Sequence, residues 1–311
     1  MKHILLTGAS GTLGRFIAER LLNDGHTVTC LGRSDPKIDG THYARWNLGQ
    51  ENVTLPPADA LVHAALFHEP GKYEGGEGDD PHTFIEMNVG GTIRLFDAAK
   101  RAGIAQSVFL SSGTVYADTG NWKVLKEDAD LGPDSLYGEV KIAGEMALEN
   151  QCDDAMRGTA LRVTGVYGLA PGKTSHKWSG LFMDCAGSEP LEPDLTTEVH
   201  GEDLAAAVAL VLDRDEASQP VFDIFNVSDI LLDRQDLLRL FAEKAGLAVP
   251  LPDRSPGALG VMEPGKLKVL GWSPGGMAKL DEFVTEEAAR FSSVVSAARK
   301  ARAAGGGGKA V

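Results

Sequence analysis

HILLTGASGTLGRFIAERLLN, residues 3–23, decides the fold. His3–Thr7 is a short apolar run of strand type, and Thr12–Asn23 carries its apolar residues at helical spacing. Between them Gly8, Gly11 and Gly14 form G-x-x-G-x-x-G. Glycines allow a tight turn and close approach of the backbone to a ligand, while the following helix start offers free N–H groups and a partial positive charge. Strand, glycine loop and helix in this order make a cradle for a phosphate-bearing ligand. Gly8, Ser10, Gly11, Thr12, Leu13 and Gly14 are its expected contacts.

The same alternation continues along the chain. Strands are predicted at Thr27–Leu31, Ala60–Ala64, Ser107–Leu110, Thr159–Val163 and Val221–Asn226. Helices are predicted at Thr83–Arg101, Ser135–Glu149, Asp203–Leu212, Asp236–Ala245 and about Leu280–Ser296. Strands that alternate with helices imply an α/β protein with a Rossmann-type, doubly wound parallel sheet. Residues 1–163, completed by about 200–226, are expected to form a dinucleotide-binding domain. Residues 164–199 and 227–305 are expected to form a smaller C-terminal substrate-binding domain. Segments 67–81 and 168–195 are rich in Gly, Pro and polar residues and read as loops beside a site, and 306–311 as a disordered tail.

The 311 residues carry a formal net charge of −14, which opposes nucleic acid and anionic membranes as partners. No apolar run is long enough to span a bilayer, and the opening residues lack a basic, apolar leader. Cys30, Cys152 and Cys185 are odd in number and widely spaced, so neither a disulfide framework nor a metal site is expected, and the chain reads as cytoplasmic.

The chemistry sits in two further stretches. SSGTVYA occupies 111–117, and DSLYGEVKIAGE, at 134–145, places Tyr137 and Lys141 four residues apart on one helix face. An ammonium beside a phenol favours phenolate, which makes Tyr137 a usable acid or base near neutral pH. With the glycine cradle, this set describes a site for a nicotinamide nucleotide and the transfer of a proton and a hydride. At the end of the second strand Gly32 stands where an acid would hold the ribose of NAD, and Arg33 follows. A small residue and then a guanidinium suit a 2′-phosphate, so NADP is the expected cofactor and NAD the alternative.

With these motifs in place the chain resembles the extended short-chain dehydrogenase/reductase family, also called the NAD-dependent epimerase/dehydratase family. ALVHAA at 60–65, Asn88-Val-Gly-Gly-Thr92, LRVTGVYG at 161–168, VHGEDLA at 199–205, RSPG at 254–257 and LGWSP at 270–274 are similar to its segments in the same order. The resemblance implies Tyr137 as general acid/base and Lys141 as its electrostatic partner on the nicotinamide ribose. It implies Ser112 as hydrogen-bond donor to the reacting oxygen, Thr114 as a substrate contact and Asn88 as an organiser of the site. Ala64, Asn47 and Leu48 fall at cofactor positions, Asn47 replacing the family's Asp. His63 and His200 read as structural, whereas His68, His82 and His176 lie where substrate could be touched. The family commonly pairs two helices across a two-fold axis. A homodimer is expected here through 83–101 and 135–149, with Leu136, Val140, Ala143 and Ala147 on one face.

Departures from the family narrow the reaction. Its dehydratases place Thr-Asp-Glu where this chain has Ser112-Gly113-Thr114, so sugar dehydration is not expected. Gly165 stands where nucleotide-sugar enzymes place Asn, and DLTTEVH lacks their arginine, although Arg254 matches one that can meet a diphosphate. The expected function is an NADP(H)-dependent oxidoreductase interconverting an alcohol and a carbonyl on a small or sugar-like substrate. The alternative is a sugar epimerase with tightly held cofactor.

Overall fold

The computed structural model of the chain describes residues 1–69, 76–117, 120–214 and 219–305, with side chains up to 294. The predicted tail at 306–311 and part of the predicted 67–81 loop lie outside the described residues. Among the described residues no helix is long and apolar enough to cross a membrane.

Seven strands build the main sheet: β1 (His3–Thr7), β2 (Thr27–Gly32), β3 (His42–Arg45), β4 (Ala60–His63), β5 (Gln106–Ser112), β7 (Arg157–Val163) and β10 (Phe222–Val227). Their order is β10-β7-β5-β4-β1-β2-β3, and every pairing is parallel. From β1 the chain runs outward through β2 and β3, then returns to β4 on the other side. This reversal is the switch point where such sheets hold ligands at their carboxyl ends.

Successive side chains of β1 point to opposite faces, and each face is covered. Ile4 and Leu6 pack with Phe16, Ile17 and Leu21 of α1 (Thr12–Asn23) and with Leu204, Val208 and Val211 of α6 (Gly201–Leu212). Leu5 packs with Leu95 and Phe96 of α3 (Gly91–Arg101) and Leu148 of α4 (Leu136–Glu149). The helix predicted from Thr83 to Arg101 is interrupted: α2 (Pro81–Ile85) passes through a π turn at Glu86–Gly90 before α3 begins.

A second core lies beyond β7. β8 (Gly165–Tyr167), β9 (Leu195–His200) and β11 (Ile230–Asp233) form a small sheet in the order β11-β9-β8. Tyr167, Trp178, Phe182, Phe241 and Phe283 gather there with α5 (Ser179–Gly187), α7 (Arg234–Ala245) and α9 (Gly276–Gly305). The expectation of loop through 168–195 is thus corrected, since Phe182 and Cys185 of α5 bury an apolar stripe. The short β6 (Lys123–Leu125) and β12 (Gly260–Met262) pair with each other, and α8 (Gly265–Val269) packs beneath β10.

The predicted dimer face on α4 also needs correction. Val140 and Ala147 are buried within the chain, Ala147 in the core with Phe96 and Phe109. The exposed apolar side chains on these helices are instead Ile85, Ile93 and Met146.

Candidate active site

The glycine loop closes over the end of β1. Gly8 has φ +74°, a conformation that L side chains resist, and a Cβ there would stand 2.5 Å from the Ala64 carbonyl oxygen. Gly11 caps α1 without any side-chain hydrogen bond, so no side chain competes for the first amides of the helix. A cradle that a Cβ would fill, in front of an uncapped helix start, fits a pyrophosphate.

Thr7, which the sequence did not single out, holds this cradle to the neighbouring strand. Its Oγ1 accepts hydrogen bonds from the Ala64 and Ala65 amides at 3.1 Å each. It also bonds His63 Nδ1 at 2.7 Å, while His63 Nε2 bonds Thr92 Oγ1 at 2.9 Å. Burial first, and then the Lys141 charge, push the His63 pKa down to about 3, so this imidazole is a neutral structural link as expected.

Arg33 follows β2 at the exposed rim, and among the described residues it makes no ion pair or hydrogen bond. Beyond β3, Asn47 is half-buried and Leu48 buried, with the Leu48 carbonyl taken by Arg94 at 3.0 Å. Asn88 sits in the π turn. It accepts from the Phe67 amide at 2.8 Å and donates to the Phe67 and Phe84 carbonyls at 2.8 and 3.0 Å. It therefore fastens the segment that leaves β4.

The candidate acid/base group is built on α4 and the end of β5. Ser135 caps α4 by accepting from the Gly138 amide at 3.2 Å, which puts Tyr137 in the first turn. A Cβ at Gly144 would run into the Phe109 ring, so this glycine lets α4 lie close on β5. A Cβ at Gly138 would reach to 2.5 Å of the Thr114 carbonyl, which places the first turn of α4 against the Ser112–Thr114 corner. Ser112 Oγ accepts from Thr114 Oγ1 at 3.0 Å.

Lys141 is buried. Its Nζ donates to the Leu110 carbonyl at 2.7 Å and lies 5.5 Å from the Tyr137 ring centroid. Burial pulls its pKa down to about 8, against the opposing pull of Glu145. Glu145 is the next residue on this face. It accepts from Ser111 and forms a two-point pair with Arg162, at 3.0 Å to Oε1 and 2.8 Å to Oε2. Arg162 continues to Tyr116 at 2.9 Å, whose hydroxyl donates to Asn226 at 2.8 Å. Sequence reasoning passed over this network, although a carboxylate one turn past Lys141 and an arginine inside the strand TALRV were its visible signals.

Beyond β7, Gly165 and Glu198 are register partners of β8 and β9, and a Cβ at Gly165 would meet the Glu198 Oε2 at 2.6 Å. Lys177 donates to both Glu198 oxygens, at 2.6 and 2.8 Å. Burial raises the Glu198 pKa despite this partner. Arg254 is not free to meet a ligand as it stands, because Asp236 accepts from both of its terminal nitrogens at 2.9 and 2.6 Å. Of the loop histidines, His176 packs on Phe283 and reaches Glu287 at 3.2 Å, a structural placement. His68 is half-buried and His82 exposed. His200 caps α6 through the Glu202 amide at 3.2 Å. All three cysteines are free, and among the described residues no three acidic, His or Cys side chains gather as a metal site.

Comparison with known proteins agrees with this architecture. Residues 4–228 match the NAD dependent epimerase/dehydratase family. The chain is 31% identical over 211 residues to a UDP-glucose 4-epimerase of Mycolicibacterium smegmatis, covering 64% of this chain and 66% of that protein. It is 31% identical over 169 residues to an L-arabinose 1-dehydrogenase (NAD(P)(+)) of Haloferax volcanii, covering 50% of this chain and 62% of the relative. Among solved structures, a UDP-glucose 4-epimerase of Thermotoga maritima with UDP-glucose superposes with TM-score 0.75 at 19% identity, covering 94% of this chain and 99% of that one. The chain belongs to the NAD-dependent epimerase/dehydratase family and is a Rossmann-fold enzyme of that family.

Proposed function

We propose that this enzyme is an NADP(H)-dependent oxidoreductase that interconverts an alcohol and a carbonyl on a small or sugar-like substrate. The observation that carries this reading is the buried Lys141 ammonium beside the Tyr137 ring, in the helix that abuts the Ser112–Thr114 corner. The bound nicotinamide dinucleotide would supply or take the hydride. Gly8, Ser10, Gly11, Thr12, Leu13 and Gly14 hold its pyrophosphate, Ala64 lines its path, and Asn47 and Leu48 flank the adenine. Arg33 meets the 2′-phosphate. Tyr137 exchanges a proton with the substrate oxygen, Ser112 donates a hydrogen bond to it, and Thr114 touches the substrate. Lys141 favours the phenolate and Asn88 keeps the neighbouring segment in place.

The domain division follows the two cores. Residues 1–163 with about 200–226 bind the dinucleotide, and 164–199 with 227–305 bind the substrate. Ile85, Ile93 and Met146 mark the surface through which two copies pair as a homodimer. The free thiols suit a cytoplasmic enzyme.

Epimerisation is the second reading, favoured by the 31% identity to a UDP-glucose 4-epimerase. It would use the same side chains with the cofactor returned to its starting state. The test is oxidation of NADPH by a panel of carbonyl compounds and reduction of NADP by the matching alcohols. Net conversion that disappears in Tyr137→Phe supports the oxidoreductase; substrate inversion without net conversion overturns it.

A further inference from the structure

We propose that the groove between α5, β9 and β11 is the substrate site for an uncharged, hydroxyl-rich molecule of monosaccharide size, and that its Lys177–Glu198 pair excludes a substrate bearing a diphosphate. The inference rests on the oxidoreductase reading for the chemistry performed there, but not for the binding itself.

Position is the first support. Val163 is the register partner of Ser112, and Gly165 follows it by two residues. A strand rises about 3.3 Å per residue, so Gly165 lies roughly 7 Å farther along the chain. Glu198 faces Gly165 in register and lines the groove, so it is the groove residue that strand register links to the Ser112 corner.

Size is the second. The groove holds about 380 Å³, at the small end of ligand sites.

Charge is the third and decides the class. The groove is lined by Lys177 and Arg234 against Asp184, Asp194 and Glu198, so acids outnumber bases. Each base is already engaged: Lys177 by both Glu198 oxygens, and Arg234 by Asp194. Arg254, beyond the rim, is held at two points by Asp236. The Glu198 side chain is 2% exposed, so its carboxylate cannot swing into solvent to release Lys177. A diphosphate would have to break a charge-assisted pair and lie against like-charged carboxylates, which is unfavourable. A hydroxyl group meets no such conflict. It can accept from Lys177, whose side chain is 36% exposed, and donate to a carboxylate or to the Thr196 hydroxyl.

The experiment is calorimetric titration of the cofactor-loaded protein with glucose, arabinose, UDP and UDP-glucose. The neutral sugars should bind, and UDP-glucose should bind no more tightly than glucose. Glu198→Gln keeps the shape and frees Lys177. It should raise UDP-glucose affinity by about tenfold, the low end for one charge-assisted hydrogen bond, and weaken glucose binding. Tighter binding of UDP-glucose than of glucose by the wild type overturns the proposal, as does failure of both neutral sugars to bind. An unchanged preference in Glu198→Gln also overturns it. Should that variant not fold, the wild-type order of affinities decides alone. Neutral-sugar binding without net nicotinamide conversion sinks the oxidoreductase reading and leaves the groove assignment standing. Net conversion confined to UDP-sugars does the reverse.

Discussion

Tyr137 and Lys141 show how far individual residues could be read. Their spacing alone put them on one helix face, and the 5.5 Å between ammonium and ring agrees. What spacing could not show was the burial of Lys141, because that depends on Leu110 and Phe109 from a distant strand. Tyr137→Phe removes only the hydroxyl of the candidate acid/base, so turnover should fall by roughly 10²–10⁴-fold while cofactor titration stays close to wild type. Near-normal turnover would remove Tyr137 from its role. Burial also dictates pH behaviour. With the Lys141 pKa down at about 8, the ammonium that favours phenolate is lost as pH rises past that value. A rate profile should therefore decline above about pH 8, and a profile flat to about pH 10, near the ordinary lysine value, would contradict it. His63 acts on stability with the opposite pH window. Its folded pKa is near 3 against an ordinary 6.5, so the unfolded chain binds the extra proton between these values. Stability should fall as pH drops below about 6.5, and thermal melting of His63→Gln should show a shallower acid dependence than the wild type.

At the scale of elements, the strand–loop–helix opening was legible because its signals are local: an apolar run, glycines and a helical repeat. β3, β8, β9 and β11 were not, because each is short and its apolar pattern is broken by residues such as Glu198 that tertiary pairing satisfies. The same holds for the buried Glu145–Arg162 pair, which ties α4 to β7 beneath the candidate acid/base. A lone buried charge is costly, so Glu145→Ala should destabilise the fold by about 3–5 kcal/mol. The double change Glu145→Met with Arg162→Met should cost less than either single one. Denaturant unfolding of the three variants measures this, and additive losses would argue against a coupled pair. The glycine loop is sterically committed. Gly8→Ala meets both a positive φ and the Ala64 carbonyl, so it should abolish dinucleotide binding as well as lower the melting temperature.

For the whole molecule, the fold stands on the complete strand order and the family on the match over residues 4–228, whereas substrate, cofactor preference and assembly turn on a few surface and groove residues. Arg33 at the exposed end of β2 should make NADP(H) bind more tightly than NAD(H). One charge-assisted contact is worth about 1.5–3 kcal/mol, and the exposed position keeps the effect at the lower value. Arg33→Ala should weaken NADP(H) and hardly change NAD(H), and equal wild-type affinities would reduce Arg33 to a surface charge. Sedimentation at micromolar concentration should show a dimer that Met146→Glu dissociates; a wild-type monomer would refute the pairing. The most direct measurement of all is stoichiometry: reduced nicotinamide consumed, by its absorbance, against product formed from a carbonyl substrate. Equimolar consumption is the predicted result. Product that accumulates while the nicotinamide signal stays constant would mean that the hydride returns to its donor, and would contradict a net oxidoreductase.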